Sequence, residues 1–281
     1  MKNIKLRNDI EIPQIGLGTW KITDRELMKK VLAGAYHAGY RLIDTASAYS
    51  NEIALSKAIS ETGIDRKKLL ISDKVWNTSR GYVAVQEACR KSLKKLKTDY
   101  LDIYLIHWPA SGRLYPNWEE INADTWRGME ALYKEGLVNV IGVCNFKRHH
   151  LEALEKTAQT LPFINQIEYH PGMVQENTEI YCTEKNIQLE ASSPLGNGQV
   201  LTNAELLKIA QVKGKSTAQI CLRWEIQKNL VVIPKTISLC RMEENLDVYD
   251  FELSYEEMKT IDRIPYCGGI GIDSDEVIEF G

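Results

Sequence analysis

The sequence predicts a (β/α)8 TIM barrel of the α/β class, preceded by a short N-terminal β-hairpin. Three observations carry this. Eight short apolar runs read as buried parallel strands, longer amphipathic stretches between them read as helices, and the 281 residues, close to the common barrel size, contain no Pro/Ser/Gly linker. Residues 1–281 are therefore expected to form one domain.

The elements follow in order. Ile4–Leu6 and Glu11–Ile12, bridged by Asn8-Asp9, have the turn chemistry of a hairpin. The barrel strands are expected at Ile15–Leu17, Arg41–Asp44, Leu69–Lys74, Leu101–His107, Val140–Cys144, Phe163–Glu168, Gln188–Ala191 and Leu230–Ile233. Helical periodicity marks Asp24–His37, Asn51–Glu61, Gly81–Leu96, Thr125–Lys134, Lys147–Lys156, Asn177–Lys185 and Ser216–Gln227.

Composition excludes several classes. Hydrophobic residues make up 44% and charged residues 26% of the chain, enough for a large core under a polar surface. The net charge of −3, with Lys and Arg mixed among Asp and Glu, offers no basic stripe for nucleic acid. No apolar run is long enough to span a bilayer, and charges at Lys2, Lys5, Arg7, Asp9 and Glu11 interrupt any signal-peptide core. Cys89, Cys144, Cys182, Cys221, Cys240 and Cys267 are scattered without metal-ligand spacing, the pattern of reduced thiols in a cytoplasmic protein, and no metal site is expected. Gly16-Leu17-Gly18 lacks the third glycine of a dinucleotide-binding turn, and neither a P-loop nor an HExxH helix occurs.

Polar residues fall where a barrel keeps its chemistry. Asp44, Lys74 and His107 each end an apolar strand, and Tyr49 follows Asp44 by five residues, which places all four at the C-terminal mouth of a closed barrel. Singly, each has a structural explanation as a helix cap, a solvated lysine or a satisfied core histidine. Together, an acid, a base and an imidazole on three successive strand ends are harder to explain by structure alone, because buried charges must be paired.

Those residues lie in motifs that carry a resemblance. Gly39-Tyr40-Arg41-Leu42-Ile43-Asp44-Thr45-Ala46, the run from Leu101 to Pro109, Ile141-Gly142-Val143-Cys144-Asn145-Phe146 and Ile233-Pro234-Lys235-Thr236 resemble the aldo-keto reductases, in particular the bacterial 2,5-diketo-gluconate reductase-like branch. The resemblance implies NADP(H)-dependent reduction of small aldehydes or ketones by a tetrad of Asp44, Tyr49, Lys74 and His107. In that arrangement Tyr49 donates the proton, its phenol made more acidic by contact with Lys74. Asp44 pairs the lysine, and neutral His107 orients the substrate oxygen. It further implies that Cys144, Asn145, Gln166 and Ser192 meet the nicotinamide, and that Lys235, Thr236, Arg241, Glu244 and Asn245 meet the adenosine end, where clustered cations suit a 2′-phosphate. Trp20, Trp76 and Trp108 are expected to wall the substrate pocket, next to an acidic tail of Asp273, Asp275, Glu276 and Glu279.

Two positions depart from the family pattern. Cys144 stands where the family usually has Ser, and Ser192 where it usually places the Tyr or Trp that stacks on the nicotinamide. Two rival functions bear on the same residues. A cofactor-binding regulatory or structural subunit is opposed by the intact tetrad. A metal-dependent hydrolase lacks a second His at a strand end, since His149 and His150 begin a predicted helix. The expected partner is a small carbonyl compound, neither nucleic acid nor membrane, with the chain acting as a monomer.

Overall fold

The computed structural model describes residues 2–276, so Glu279 of the acidic tail lies outside the described residues. Strands β1 (Asn3–Lys5) and β2 (Glu11–Pro13) pair antiparallel with Ile4 opposite Ile12, and Asp9 takes the left-handed conformation in the turn between them. Arg7 on this hairpin donates to the carbonyls of Leu161 and Lys185, and Asn8 to that of Asn139. Leu161 and Lys185 precede barrel strands and Asn139 is the second residue of another, so the hairpin covers the end of the barrel opposite the predicted site.

The barrel is β3 (Gly16–Gly18), β4 (Leu42–Asp44), β5 (Leu70–Val75), β6 (Leu101–Ile106), β7 (Val138–Cys144), β8 (Ile164–Glu168), β9 (Gln188–Ser192) and β10 (Val231–Ile233), all parallel and in sequence order. Closure between β10 and β3 comes from an Ile15–Val232 bridge and from the Val232 and Gly18 amides, which donate to the carbonyls of Gln14 and Pro234. Such short strands persist because both faces are apolar: Leu17, Leu42, Ile71, Ile103, Val140, Ile164 and Val231 are all 0–1% exposed. None of the described helices is long and apolar enough to cross a membrane.

The surrounding helices differ from expectation in instructive places. One helix runs from Trp118 to Lys134, starting before the expected Thr125, because its first turns are polar and show no apolar stripe. Ala204–Lys213, Leu239–Leu246 and Tyr255–Asp262 are further helices. The last carried a legible start signal, since Ser254 and Glu257 form a capping box.

The chain end crosses the mouth of the barrel. Glu168, at the end of β8, accepts hydrogen bonds from the Ile270 amide at 2.5 Å and the Gly271 amide at 2.8 Å. Gly269 passes this point with φ 132°, and a Cβ there would lie 2.4 Å from the Glu168 carboxylate and 2.5 Å from His170 Nε2.

Candidate active site

Strand geometry brings the predicted tetrad together. Asp44 is the last residue of β4 and His107 follows β6, while Lys74 is the penultimate residue of β5 rather than its end. That inward position buries Lys74 completely, at 0% exposure against 4% for Asp44. Its ammonium donates to both Asp44 carboxylate oxygens at 2.6 and 2.7 Å and to the Thr45 carbonyl at 3.0 Å. Burial pulls the lysine down, but Asp44 foremost, then Tyr49 and Cys144, hold it above its ordinary value. It stays an ammonium.

Tyr49 closes a short 3-10 turn, Ser47–Tyr49, that Ser47 ties to β5 by donating to the Lys74 carbonyl at 2.8 Å. Lys74 Nζ lies 5.3 Å from the centre of the tyrosine ring. Lys74 lowers the phenol pKa as expected, but it does not set the net value. Burial pushes Tyr49 up to about 12; Lys74 pulls it down, but burial, with help from Asp44 and Cys144, outweighs that pull. The phenol is therefore protonated throughout the neutral range.

His107 stands among aromatic rings, 5.9 Å from Tyr49, 5.1 Å from Trp76 and 6.5 Å from Trp108 between centroids. Burial first, and Lys74 second, push its pKa well below the usual histidine value, so the imidazole is neutral. Its Nδ1 is buried without a hydrogen-bond partner. Trp20, following β3, is 42% exposed, with the Lys21 ammonium 4.3 Å from its ring centre.

The next strand ends carry amides. Asn145 holds φ at 62° and donates through Nδ2 to the His107 carbonyl at 2.9 Å and to Cys144 Sγ at 3.2 Å. The Cys144 thiol points to Gln166 Oε1 at 3.6 Å. Gln166 Nε2 reaches Asp44 Oδ1 at 3.1 Å and also bonds the carboxylate of Glu190, which is fully buried on β9. Glu190 escaped the sequence reading, although a carboxylate in the middle of an apolar strand was a signal available there. Ser192, the last residue of β9, is half-buried.

After β10, Lys235 and Arg241 are exposed and make no ion pair among the described residues, and Thr236 between them is 7% exposed. Glu244 accepts the Ser216 hydroxyl, and Asn245 is buried beside the Tyr40 phenol.

His149, His150 and Asp275 also converge, with Asp275 Oδ1 3.0 and 3.2 Å from the two Nε2 atoms. His150 Nδ1 accepts the Lys147 amide, which leaves the proton on Nε2 to donate to Asp275, and the Lys147 ammonium lies 2.8 Å from the same carboxylate. In this arrangement Lys147 and His150 tie Asp275 to the start of the helix that follows β7.

Residues 14–265 match the Aldo/keto reductase family. The chain belongs to that family. It is 44% identical over 275 residues to the glyoxal reductase of Bacillus subtilis (strain 168), covering 98% of this chain and 97% of that one. It is 40% identical to the methylglyoxal reductase DkgA of Salmonella typhimurium, covering 97% of each. Among solved structures, an aldo-keto reductase from a Medee basin deep-sea metagenome library superposes with a TM-score of 0.91 at 39% identity, over 99% of this chain and 100% of the other. A mutant of Gox0644 in complex with NADPH superposes with a TM-score of 0.90 at 34% identity, over 99% of each chain. These relatives agree with the 2,5-diketo-gluconate reductase-like branch and with a (β/α)8 oxidoreductase acting on carbonyls.

Proposed function

We propose that the chain is a monomeric, cytoplasmic NADPH-dependent reductase of small aldehydes and ketones, dicarbonyls and keto-sugars included, working as one catalytic unit over its length. The observation that carries this reading is the fully buried Lys74–Asp44 pair with Tyr49 and neutral His107 on one barrel mouth. A buried pair of this kind adds little to stability compared with apolar residues of similar volume, so its presence favours a chemical role.

The residues fit the cofactor. Lys235 and Arg241, exposed cations without ion pairs among the described residues, flank Thr236 on one loop and match a dianionic phosphate. Asn145 and Gln166 offer amides to the nicotinamide carboxamide, with Cys144 between them and Ser192 facing the ring; Asn245 and Glu244 border the adenosine end. When bound, NADPH supplies the hydride, which no side chain can donate.

The chain's own residues do the rest. His107 holds the carbonyl oxygen beside the Tyr49 hydroxyl, within a wall of Trp20, Trp76 and Trp108. As the carbon accepts the electron pair, the oxygen takes the Tyr49 proton and the product is an alcohol. The neighbouring Lys74 ammonium offsets the phenolate left behind, and Asp44 keeps that ammonium charged and aimed. A phenol with a pKa near 12 surrenders its proton only to a strong base, which a developing alkoxide is. The six cysteines, all free, suit a reducing compartment. A regulatory subunit would not need this pair.

The deciding experiment follows NADPH absorbance with glyoxal, methylglyoxal, larger diketones and keto-sugars, with and without a strong chelator. Turnover that survives the chelator is expected. Failure of every carbonyl in the panel would sink the reading.

A further inference from the structure

Glu190 is a fully buried acid that the chemistry above does not use. It sits on β9 in register with Gln166 on β8, so both side chains enter the barrel interior side by side. One carboxylate oxygen accepts from Gln166 Nε2, and the other, Oε2, is buried with no partner. The same Gln166 nitrogen lies 3.1 Å from Asp44 Oδ1. Two carboxylates therefore flank one amide nitrogen.

That arrangement settles which way the Gln166 amide faces. An NH2 group has two hydrogens and can serve both acids, whereas an amide oxygen turned into the same place would meet two carboxylates and lose both bonds. With Nε2 held, Oε1 is the atom presented toward Cys144 and the mouth. We infer that Glu190 is a positioning residue for cofactor recognition: it locks Gln166 so that an acceptor oxygen, not a donor nitrogen, meets the NH2 of the nicotinamide carboxamide.

Asp44 alone is a poor lock, because its carboxylate is already shared with the Lys74 ammonium at 2.6 and 2.7 Å. Glu190 has no such competitor. Burial pushes its carboxyl up to about 7, with Asp44 adding to the rise and the Gln166 amide and Lys74 opposing it. The charged groups that face it are Asp44 from β4 and Lys74 from β5, with the Cys144 thiol from β7, while β10 presents Val231 opposite it. This inference rests on the proposed placement of the nicotinamide at Gln166, so the test separates the two.

The probes are NADPH and its 3-acetylpyridine analogue, in which an acetyl group keeps the carbonyl oxygen but removes the NH2. The wild-type protein should bind NADPH more tightly by about two- to twelvefold, the worth of one hydrogen bond. Glu190→Leu should bring that preference close to one, while Glu190→Gln, which keeps an acceptor for Gln166 Nε2, should retain most of it. In wild type the preference should weaken as pH falls through about 7, where the Glu190 carboxylate gains its proton, and in Glu190→Gln it should be flat. Circular dichroism on each variant monitors folding, and the Gln variant with its pH profile decides the matter if the Leu variant does not fold. Equal weakening of both cofactors, with the preference intact, would overturn the role of Glu190 and leave the nicotinamide placement standing. No preference in the wild-type protein, or one untouched by Gln166→Leu, would overturn the placement and the inference with it.

Discussion

Asp44→Asn tests the pair at the centre of the site without changing its shape. In the wild type, the Asp44 carboxylate takes two contacts from Lys74 Nζ and one from Gln166 Nε2, and Lys74 otherwise meets the Thr45 carbonyl and the Tyr49 phenol. The introduced amide offers one acceptor to two donors and turns an NH2 toward one of them. Removing one partner of a buried pair costs about 3–5 kcal/mol, and each kcal/mol moves the Tm of a chain of this order by roughly 2–4 °C, so the loss should be roughly 6–20 °C. The pH dependence has a definite sign. With Asp44, Lys74 is held above its ordinary 10.5, and its stabilisation is present at all pH values below that. Without the acid, burial dominates and the folded-state value falls below the unfolded one. The folded variant then binds fewer protons than the unfolded chain, so its stability rises with pH through that window. The Tm deficit should accordingly be larger at pH 6 than at pH 9, as read by thermal melts in matched salt. Turnover should drop by at least about 10², because Tyr49 loses its main favourable charge. An unchanged Tm, or a deficit equal at both pH values, would refute the account of Lys74 as a buried ammonium held by Asp44.

Three further outcomes are expected. Tyr49→Phe should bind NADPH normally and lose roughly 10²–10⁴ in turnover, and wild-type reduction should hold through neutral pH and decline only as the phenol, near 12, begins to ionise; near-normal turnover in the variant would exclude Tyr49 as the acid. Arg241→Ala should weaken NADPH by about 1.5–3 kcal/mol in fluorescence titrations while leaving NADH little changed, and an equal loss for both would assign the residue to loop structure instead. Ser192→Trp should tighten NADPH several-fold by restoring a stacking partner worth about 0.5–1.5 kcal/mol, unless the neighbouring 3-10 segment Gly196–Thr202 already fills that space; unchanged or weaker binding in a folded variant would show that it does.

Much of this protein is written in local patterns. Apolar runs such as Leu101–Ile106 and Val138–Cys144 specify strands buried on both faces, and their rhythm with helices leaves few arrangements besides a closed parallel barrel. A polar residue at the end of such a run is visible in the sequence, and closure then carries Asp44, Tyr49, Lys74 and His107 to one mouth. Periodicity also fails locally, as in the polar first turns of the Trp118–Lys134 helix, where the face toward the core is set by packing rather than by pattern.

What only the tertiary structure decided concerns magnitude and company. The sequence places Lys74 near Tyr49 but does not contain the depth of burial, and that depth raises the phenol where contact with a cation alone would lower it. Glu190 and Gln166 lie far apart in the chain and look unrelated until β8 and β9 pair in register. Glu168 holding Ile270 and Gly271, and Glu244 meeting Ser216, depend on contacts across the ring of strands and helices. Desolvation and pairing are properties of a closed three-dimensional surrounding. Composition and spacing set which residues are present for it, and the fold sets which of them meet.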